Sequence, residues 1–364
     1  MRAVVFTLGC KVNGYESASL ITGLKEIGYE VSDKLSYADL YIVNTCAVTA
    51  EAEKKSRQAI ARVKKFNPAA KIIVTGCASQ KSPESFLAKE GVTLVTGAIN
   101  KDKIIDLLSE SGVVMDEGGE YYQRFNACRD LKTRAYVKIQ DGCDNFCSYC
   151  VIPYLRGRSR SRSVESVLRE FDALSAKEVV LTGINISKYS YNGCDLKDLV
   201  KELSVYPVRL RLGSLEDVIV DEDLLSALKA LPDFAEHFHL SLQSGSDKVL
   251  KEMNRKYDTA KFFDSVNLIR KYFPSAAITT DVIAGYSTET DEDFEKTMDF
   301  CRKVAFADIH CFEYSRREGT VGFGLPELDK KIKKERLDRL IGLKKELNTL
   351  VGIGQHTRGH HDDE

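Results

Sequence analysis

Residues 142–150 read Gly-Cys-Asp-Asn-Phe-Cys-Ser-Tyr-Cys, which sets Cys143, Cys147 and Cys150 in a C-x3-C-x2-C triplet. Three thiolates this close can wrap a compact inorganic core, and the loop holds no fourth cysteine. A structural zinc site normally takes four protein ligands in C-x2-C pairs, so both spacing and count argue against zinc. A four-iron cubane held by three cysteines keeps one iron open to an outside ligand, and that is the chemistry this triplet suits. Cys10, Cys46 and Cys77 are far apart in sequence, yet each stands just past an apolar run, at Phe6-Thr-Leu-Gly-Cys10, Val43-Asn-Thr-Cys46 and Val74-Thr-Gly-Cys77. Gly9 and Gly76 precede two of them and allow the backbone to turn tightly there. The isolated Cys128, Cys194, Cys301 and Cys311 read as small buried apolar residues. Arg156, Arg158, Arg160 and Arg162 alternate with small residues directly after the triplet. Guanidinium groups in such a run suit phosphate oxygens, so contact with RNA is expected of them; a solvated or ion-paired surface is the bland alternative.

Elements must bring these residues together. Ala3–Thr7, Leu40–Asn44, Lys71–Thr75 and Val92–Thr96 read as buried parallel strands, alternating with helical patterns at Glu16–Glu26, Glu51–Lys65 and Lys101–Ser109. In an open parallel sheet the carboxyl ends of the strands line one crevice, so Cys10, Cys46 and Cys77 are expected at a common edge. A second series starts near Arg134, with strands at Ala135–Gln140, Val179–Thr182, Arg209–Gly213, His237–Leu242, Ala277–Ile283 and Asp308–Tyr314. Strands alternating with helices argue for a parallel sheet curled into an open barrel, and Cys143 then follows its first strand, where such barrels carry their chemistry. The fold class is therefore α/β, an N-terminal open parallel-sheet domain followed by a partial (β/α)6 barrel. The expected segments are an N-terminal domain at 1–114, a polar linker at 115–128, a barrel domain at 129–350 that closes with the charged helix Lys330–Leu350, and a tail at 351–364. That tail holds His356, His360 and His361 and reads as a solvated end.

The sequence of 364 residues is long enough for two domains with cores of their own. Its 53 basic and 54 acidic side chains give a net charge of −1, which excludes a polybasic coat while allowing a local basic groove. There is no secretory leader pattern, and no apolar run approaches the roughly 18–20 residues of a membrane span. A cytoplasmic protein with no membrane contact is expected, and in a reducing compartment ten cysteines speak for metal or redox chemistry over disulfides.

The triplet loop resembles the SAM-cleaving loop of the radical S-adenosylmethionine (SAM) superfamily. In that family the amino and carboxylate groups of S-adenosyl-L-methionine chelate the open iron, and the aromatic before the last cysteine, here Tyr149, contacts the adenine. The resemblance makes the later strand ends candidates for holding SAM: Gly183 and Asn185 after the second strand, Ser214 and Glu216 after the third, Gln243 and Ser244 after the fourth. Taken singly each also reads as a turn residue capping the next helix. The Cys10, Cys46 and Cys77 arrangement resembles the N-terminal domain of the methylthiotransferase family, whose three cysteines bind an auxiliary cluster. The resemblance extends to about Leu350, and Thr7-Leu-Gly-Cys-Lys-Val-Asn-Gly-Tyr-Glu-Ser17 and Asn44-Thr-Cys-Ala-Val-Thr-Ala-Glu-Ala-Glu53 are closest to the MtaB branch. It implies two [4Fe-4S] clusters and two molecules of SAM, one methylating sulfur at the auxiliary cluster and one giving the 5′-deoxyadenosyl radical. It also implies an electron donor such as a flavodoxin or ferredoxin, and a tRNA substrate, N6-threonylcarbamoyladenosine beside the anticodon, methylthiolated at C2. A C2–H has no acidic proton, so no side chain is assigned as a general base. Tyr286-Ser-Thr-Glu-Thr290 departs from the family's Phe-Pro-Gly-Glu-Thr, and the family's C-terminal RNA-binding TRAM barrel is not in this sequence. The alternatives are a relative acting on isopentenyl-adenosine (MiaB) or on a ribosomal-protein aspartate (RimO), and a non-catalytic iron–sulfur or RNA-binding module.

Overall fold

The computed structural model describes residues 1–116, 118–127 and 134–350. Cys128, the start of the expected 129–350 segment and the histidine-containing tail lie outside the described residues. The chain divides into two compact units, one of Met1–Asp144 with Cys150–Asp195, the other of Asn145–Tyr149 with the residues from Leu196 onward. The division therefore falls well past the 115–128 stretch read as a linker, and the first two barrel strands count with the N-terminal unit.

The first unit contains β1 (Arg2–Thr7), α1 (Lys11–Glu26), β2 (Glu30–Ser32), β3 (Leu40–Thr45), α2 (Ala50–Lys64), β4 (Lys71–Gly76), α3 (Cys77–Lys81), α4 (Pro83–Leu87), β5 (Val92–Thr96) and β6 (Gly112–Val114). These strands form one parallel sheet in the order β2-β1-β3-β4-β5-β6. Alternation sends Val4, Tyr41, Val43, Ile72 and Val74 into one core, and Ala3, Val5, Leu40, Ile42 and Ile73 into another with Leu20 and Leu24 of α1. Both faces are covered, which is why these strands read as unbroken apolar runs. Each Val, Leu or Ile so buried stabilises the fold by about 1.5–3 kcal/mol relative to exposure. The unit continues with β7 (Arg134–Asp141), α5 (Ile152–Arg156), β8 (Arg160–Ser161), α6 (Val164–Asp172), β9 (Glu178–Gly183) and a short hairpin, β10 (Ser190–Tyr191) and β11 (Cys194–Asp195). β9 runs parallel to β7 and β8 antiparallel to it.

The second unit holds α7 (Leu196–Leu203), β12 (Arg209–Leu212), β13 (Ser214–Leu215), α8 (Glu222–Lys229), β14 (Asp233–Phe234), β15 (His237–Leu240), α9 (Asp247–Glu252), α10 (Thr259–Tyr272), β16 (Ala277–Ala284), α11 (Asp291–Val304), β17 (Asp308–Glu313) and α12 (Lys330–Leu350). β13, β15, β16 and β17 are parallel neighbours in that order. β7, β9, β12, β15, β16 and β17 match the six expected barrel strands, each within two residues of the expected bounds; the third stops at Leu212 and resumes as β13 beyond Gly213. α11 starts on a capping box in which the Thr290 side chain accepts from Asp293 N–H and the Asp293 carboxylate accepts from Thr290 N–H. Among the described residues no helix is long and apolar enough to cross a membrane.

Candidate cofactor site

The sheet of the first unit delivers Cys10, Cys46 and Cys77 from three neighbouring strands, β1, β3 and β4, whose registers pair Thr7 with Asn44 and Thr45 with Gly76. Cys10 caps α1, Cys46 follows β3, and Cys77 opens α3. Cys46 and Cys77 are buried, whereas Cys10 is exposed. Burial pushes the Cys46 thiol up to about 11, with the Cys77 and Cys10 thiols adding to it, so the three sulfurs feel one another. Gly9 has φ +105°, and a Cβ there would lie 2.8 Å from the Cys46 sulfur. Gly76 has φ +109°, and its Cβ would lie 2.3 Å from the Thr45 carbonyl. Gly9 therefore keeps a side chain off the Cys46 sulfur, Gly76 lets β4 pass close to β3, and the three thiols at this edge are a donor set of the kind a cluster takes.

Behind this edge sits a charge network that the sequence reading did not find. Lys101 donates to Asn44 Oδ1 (2.8 Å), to Asn13 Oδ1 (3.3 Å) and to Glu16. Lys138 reaches Glu16 at 2.6 Å and Asp141 at 2.7 Å. Arg156, expected at RNA phosphates, is 0% exposed and belongs here instead. Its guanidinium donates to both Glu16 oxygens (2.8 and 3.0 Å), to Asp141 Oδ1 (3.0 Å) and to Asn13 Oδ1 (2.8 Å). Arg160 donates to Asp141 Oδ2 at 3.0 Å. Arg162 is buried against Glu170 and donates to the Ser166 carbonyl at 2.8 Å. The phosphate-binding expectation is thus corrected for Arg156, Arg160 and Arg162, because each is already committed to acidic partners inside the unit. Arg158 alone of the four projects outward, with 75% of its side chain exposed and Asp144 3.2 Å away.

In the triplet loop, Cys143 and Cys150 count with the first unit and Cys147 with the second. The Cys143 amide donates to the Gly157 carbonyl at 3.1 Å. Gly142 precedes it at φ +70°, where a Cβ would lie 1.9 Å from the Arg158 carbonyl. In the second unit Asn254 donates from its side chain to the Asn145 and Phe146 carbonyls, both at 3.1 Å. Arg255 is a residue at this loop that the sequence reading missed. Its Nη1 donates to the Cys147 sulfur at 3.3 Å, its Nη2 to the Ser241 carbonyl at 3.3 Å, and Glu216 lies 3.5 Å away. Tyr149 packs with Met253, Ile283, Tyr286 and Tyr314.

The other SAM candidates divide. A Cβ on Gly183 would meet the Gln140 carbonyl at 2.9 Å, so its glycine serves close passage past β7. The Asn185 amide donates to Gln140 Oε1 at 2.8 Å. Ser214 is exposed, and Glu216 accepts from Asn145. Gln243 takes φ +68° at the strand end and its amide donates to the Asp281 carbonyl at 2.8 Å. Ser244 is a correction: it is fully buried with its hydroxyl 3.3 Å from Thr297, so it anchors α11 rather than offering a hydroxyl to a ligand. In the departing loop the Gly285 amide donates to Glu289 Oε1 at 2.9 Å, a turn made without the family's proline. Cys301 is buried, in keeping with a packing role.

Residues 137–301 match the radical SAM superfamily model, and residues 2–97 match a family described as uncharacterised, UPF0004. The threonylcarbamoyladenosine tRNA methylthiotransferase MtaB of Bacillus subtilis is 39% identical over 95% of this chain and 81% of its own length. Its Thermotoga maritima counterpart is 40% identical over 92% and 80%. A tRNA-2-methylthio-N(6)-dimethylallyladenosine synthase of Thermoanaerobacter is 34% identical over 94% and 77%. Among solved structures, the radical SAM methyltransferase TsrM from Kitasatospora setae, with cobalamin and a [4Fe-4S] cluster bound, superposes with a TM-score of 0.62 at 15% identity, covering 86% of this chain and 72% of that one. The cobalamin-dependent SAM radical enzyme OxsB gives 0.56 at 13% identity, covering 95% and 56%. These two likenesses carry the fold; identity over nearly the whole length carries the family. With thiols at three adjacent strand ends and a C-x3-C-x2-C loop after a barrel strand, the chain belongs to the radical SAM methylthiotransferase family.

Proposed function

We propose that this enzyme adds a methylthio group to C2 of N6-threonylcarbamoyladenosine in tRNA. One observation carries the reading: two separate cysteine triplets, one in a loop and one assembled by a sheet edge, stand on a chain 39–40% identical to MtaB proteins over more than nine tenths of its length. Cys143, Cys147 and Cys150 would hold the cluster that binds SAM, and Cys10, Cys46 and Cys77 the auxiliary one. When bound, these groups supply the radical and the sulfur that replace an unreactive C–H. The chain's own residues orient them. Asn254 and Arg255 fix the 145–149 segment and give the Cys147 sulfur a hydrogen-bond donor. Gly9 keeps the space beside the Cys46 sulfur clear of a side chain. Gly183, Asn185, Ser214, Glu216, Gln243 and Tyr149 remain the residues assigned to SAM, and Arg158 to phosphate. A flavodoxin or ferredoxin would supply electrons, and tRNA as substrate places the enzyme in the cytoplasm.

Mass spectrometry of tRNA nucleosides from cells with the gene deleted tests the substrate. Loss of the 2-methylthio derivative of threonylcarbamoyladenosine is expected. Loss of the dimethylallyl counterpart instead would assign the other tRNA branch, and unchanged nucleosides with an altered ribosomal protein would remove tRNA from the reading. The two triplets separate in vitro: Cys147→Ala abolishes SAM cleavage, while Cys46→Ala abolishes methylthiolation and retains some cleavage.

A further inference from the structure

Three side chains of the second unit meet at a point that neither triplet uses. His239 of β15, Asp281 of β16 and His310 of β17 come from neighbouring parallel strands, whose registers pair His239 with Thr279 and Asp281 with His310. Thr279 and Asp281 are two residues apart and so share one face of β16. His239 Nε2 lies 3.2 Å from Asp281 Oδ1, and His310 Nδ1 lies 3.1 Å from the same oxygen. One ligand atom from each of the three falls within 4.8 Å of the others. The two imidazoles are stacked, with centroids 5.1 Å apart.

We propose that His239, Asp281 and His310 form a binding site for a divalent metal ion of the zinc class. Two imidazole nitrogens and one carboxylate oxygen are a donor set that such ions take, with metal–ligand bonds of about 2.0–2.2 Å. Tetrahedral bonds of that length set ligand atoms roughly 3.3–3.6 Å apart, close to the two separations seen, and rotation of the half-exposed His310 ring brings in the third. The surroundings orient the lone pairs. His239 Nδ1 lies 2.9 Å from Thr279 Oγ1, which can accept its proton and leave Nε2 for the metal. The Thr279 hydroxyl then has His237 Nε2 at 3.1 Å as its own acceptor. His310 Nε2 faces Asp308 Oδ2 at 4.0 Å, an acceptor on the far side of the second ring. The metal-facing nitrogen of His239 therefore has a hydrogen-bond acceptor behind it, the arrangement that fixes tautomer and raises basicity in histidine-ligated sites. Three protein ligands leave one position of a tetrahedral ion for water or a small oxygen ligand.

The same distances also suit a plain hydrogen-bonded His–Asp–His cluster, and the experiment separates the two. The full chain, with its iron–sulfur clusters reconstituted, is equilibrated with Zn2+, washed, and counted for zinc and iron by mass spectrometry. Parent, Asp281→Asn and His239→Gln/His310→Gln chains are compared, so zinc held by cysteines or by His356, His360 and His361 cancels in the difference. The expected result is about one zinc per chain fewer in both variants at equal iron, and a 10–100-fold weaker zinc affinity in Thr279→Val. Equal zinc in parent and variants at equal iron means adventitious binding only and overturns the proposal. If the ligand variants lose iron or fail to fold, the near-isosteric Thr279→Val decides, and unchanged zinc affinity in it overturns the site.

Discussion

Arg156 is the residue on which the reading of the basic run turns, and Arg156→Met is the sharpest perturbation of it. The substitution keeps most of the aliphatic stem and removes a guanidinium that is wholly buried and donates four hydrogen bonds, two of them to Glu16. Removing one partner of a buried ion pair costs about 3–5 kcal/mol, because the other charge stays buried and less compensated. Lys101, Lys138 and Arg160 still face Glu16 and Asp141 in the variant, which points to the lower end, about 3 kcal/mol. For a domain of about 150–250 residues each kcal/mol moves the melting temperature by about 2–4 °C, so a drop of roughly 6–12 °C is expected. Arg158→Ala is the control, since an exposed pair such as Arg158–Asp144 is worth about 0–1 kcal/mol. Thermal unfolding of the reduced apoprotein by circular dichroism reads the stability, and tRNA affinity against salt reads the phosphate contacts. Arg158→Ala should lower the salt slope by about 0.7–0.9, the value for one phosphate, and Arg156→Met should leave it unchanged. If Arg156→Met melts with the parent and lowers the slope as Arg158→Ala does, the guanidinium faces RNA and the buried network is refuted.

Gly142→Ala forces a Cβ against the Arg158 carbonyl at a left-handed φ, displacing Cys143; iron after anaerobic reconstitution should fall from about eight to about four per chain, and a full complement would show that the loop tolerates the shift. Burial first, with the nearby Asp293 adding, pushes the Glu289 carboxyl up to about 7 against the pull of Arg336. Its folded value lies above the unfolded one of about 4.3, so the stability it contributes is complete below that pH and is lost as pH rises toward 7. The parent's melting temperature should therefore fall more steeply between pH 5 and 7 than that of Glu289→Gln, and parallel curves would refute the assignment.

The cysteine sites were legible because their signals are local: a seven-residue spacing for one, and for the other an apolar run ending at a cysteine three times over. The shared face of Tyr41 and Val43, and of Ile72 and Val74, needs only the sequence and a parallel sheet, and the bounds of the six barrel strands were read from apolar runs in the same way. What stayed hidden depends on distant partners. Arg156 looks like Arg158 in sequence, and only the fold brings it to Glu16, 140 positions away. Arg162 is likewise tied to Tyr15 as well as Glu170. Arg255 sits just past α9 and reads as a surface residue until the loop at 145–149 is laid over it. Strands as short as β2, β8 and β14 are fixed by the edge they pair with, and two or three residues carry no period of their own.

The buried network also bears on the thiols. Lys101, Lys138, Arg156 and Arg160 bring positive charge, which Glu16 and Asp141 meet in ion pairs and the buried Asp102 carboxyl faces beside Lys138. The Cys77 sulfur is the nearby group that both Lys101 and Arg156 sense, and their attraction to it is to the thiolate. Metal binding deprotonates cysteines, so loading the triad would place negative charge beside these cations. Arg156 also opposes the rise that burial imposes on Cys46. Arg156, which seemed made for an external polyanion, thus has an internal one to face, the cysteine sulfurs at the sheet edge, and α5 carries it there.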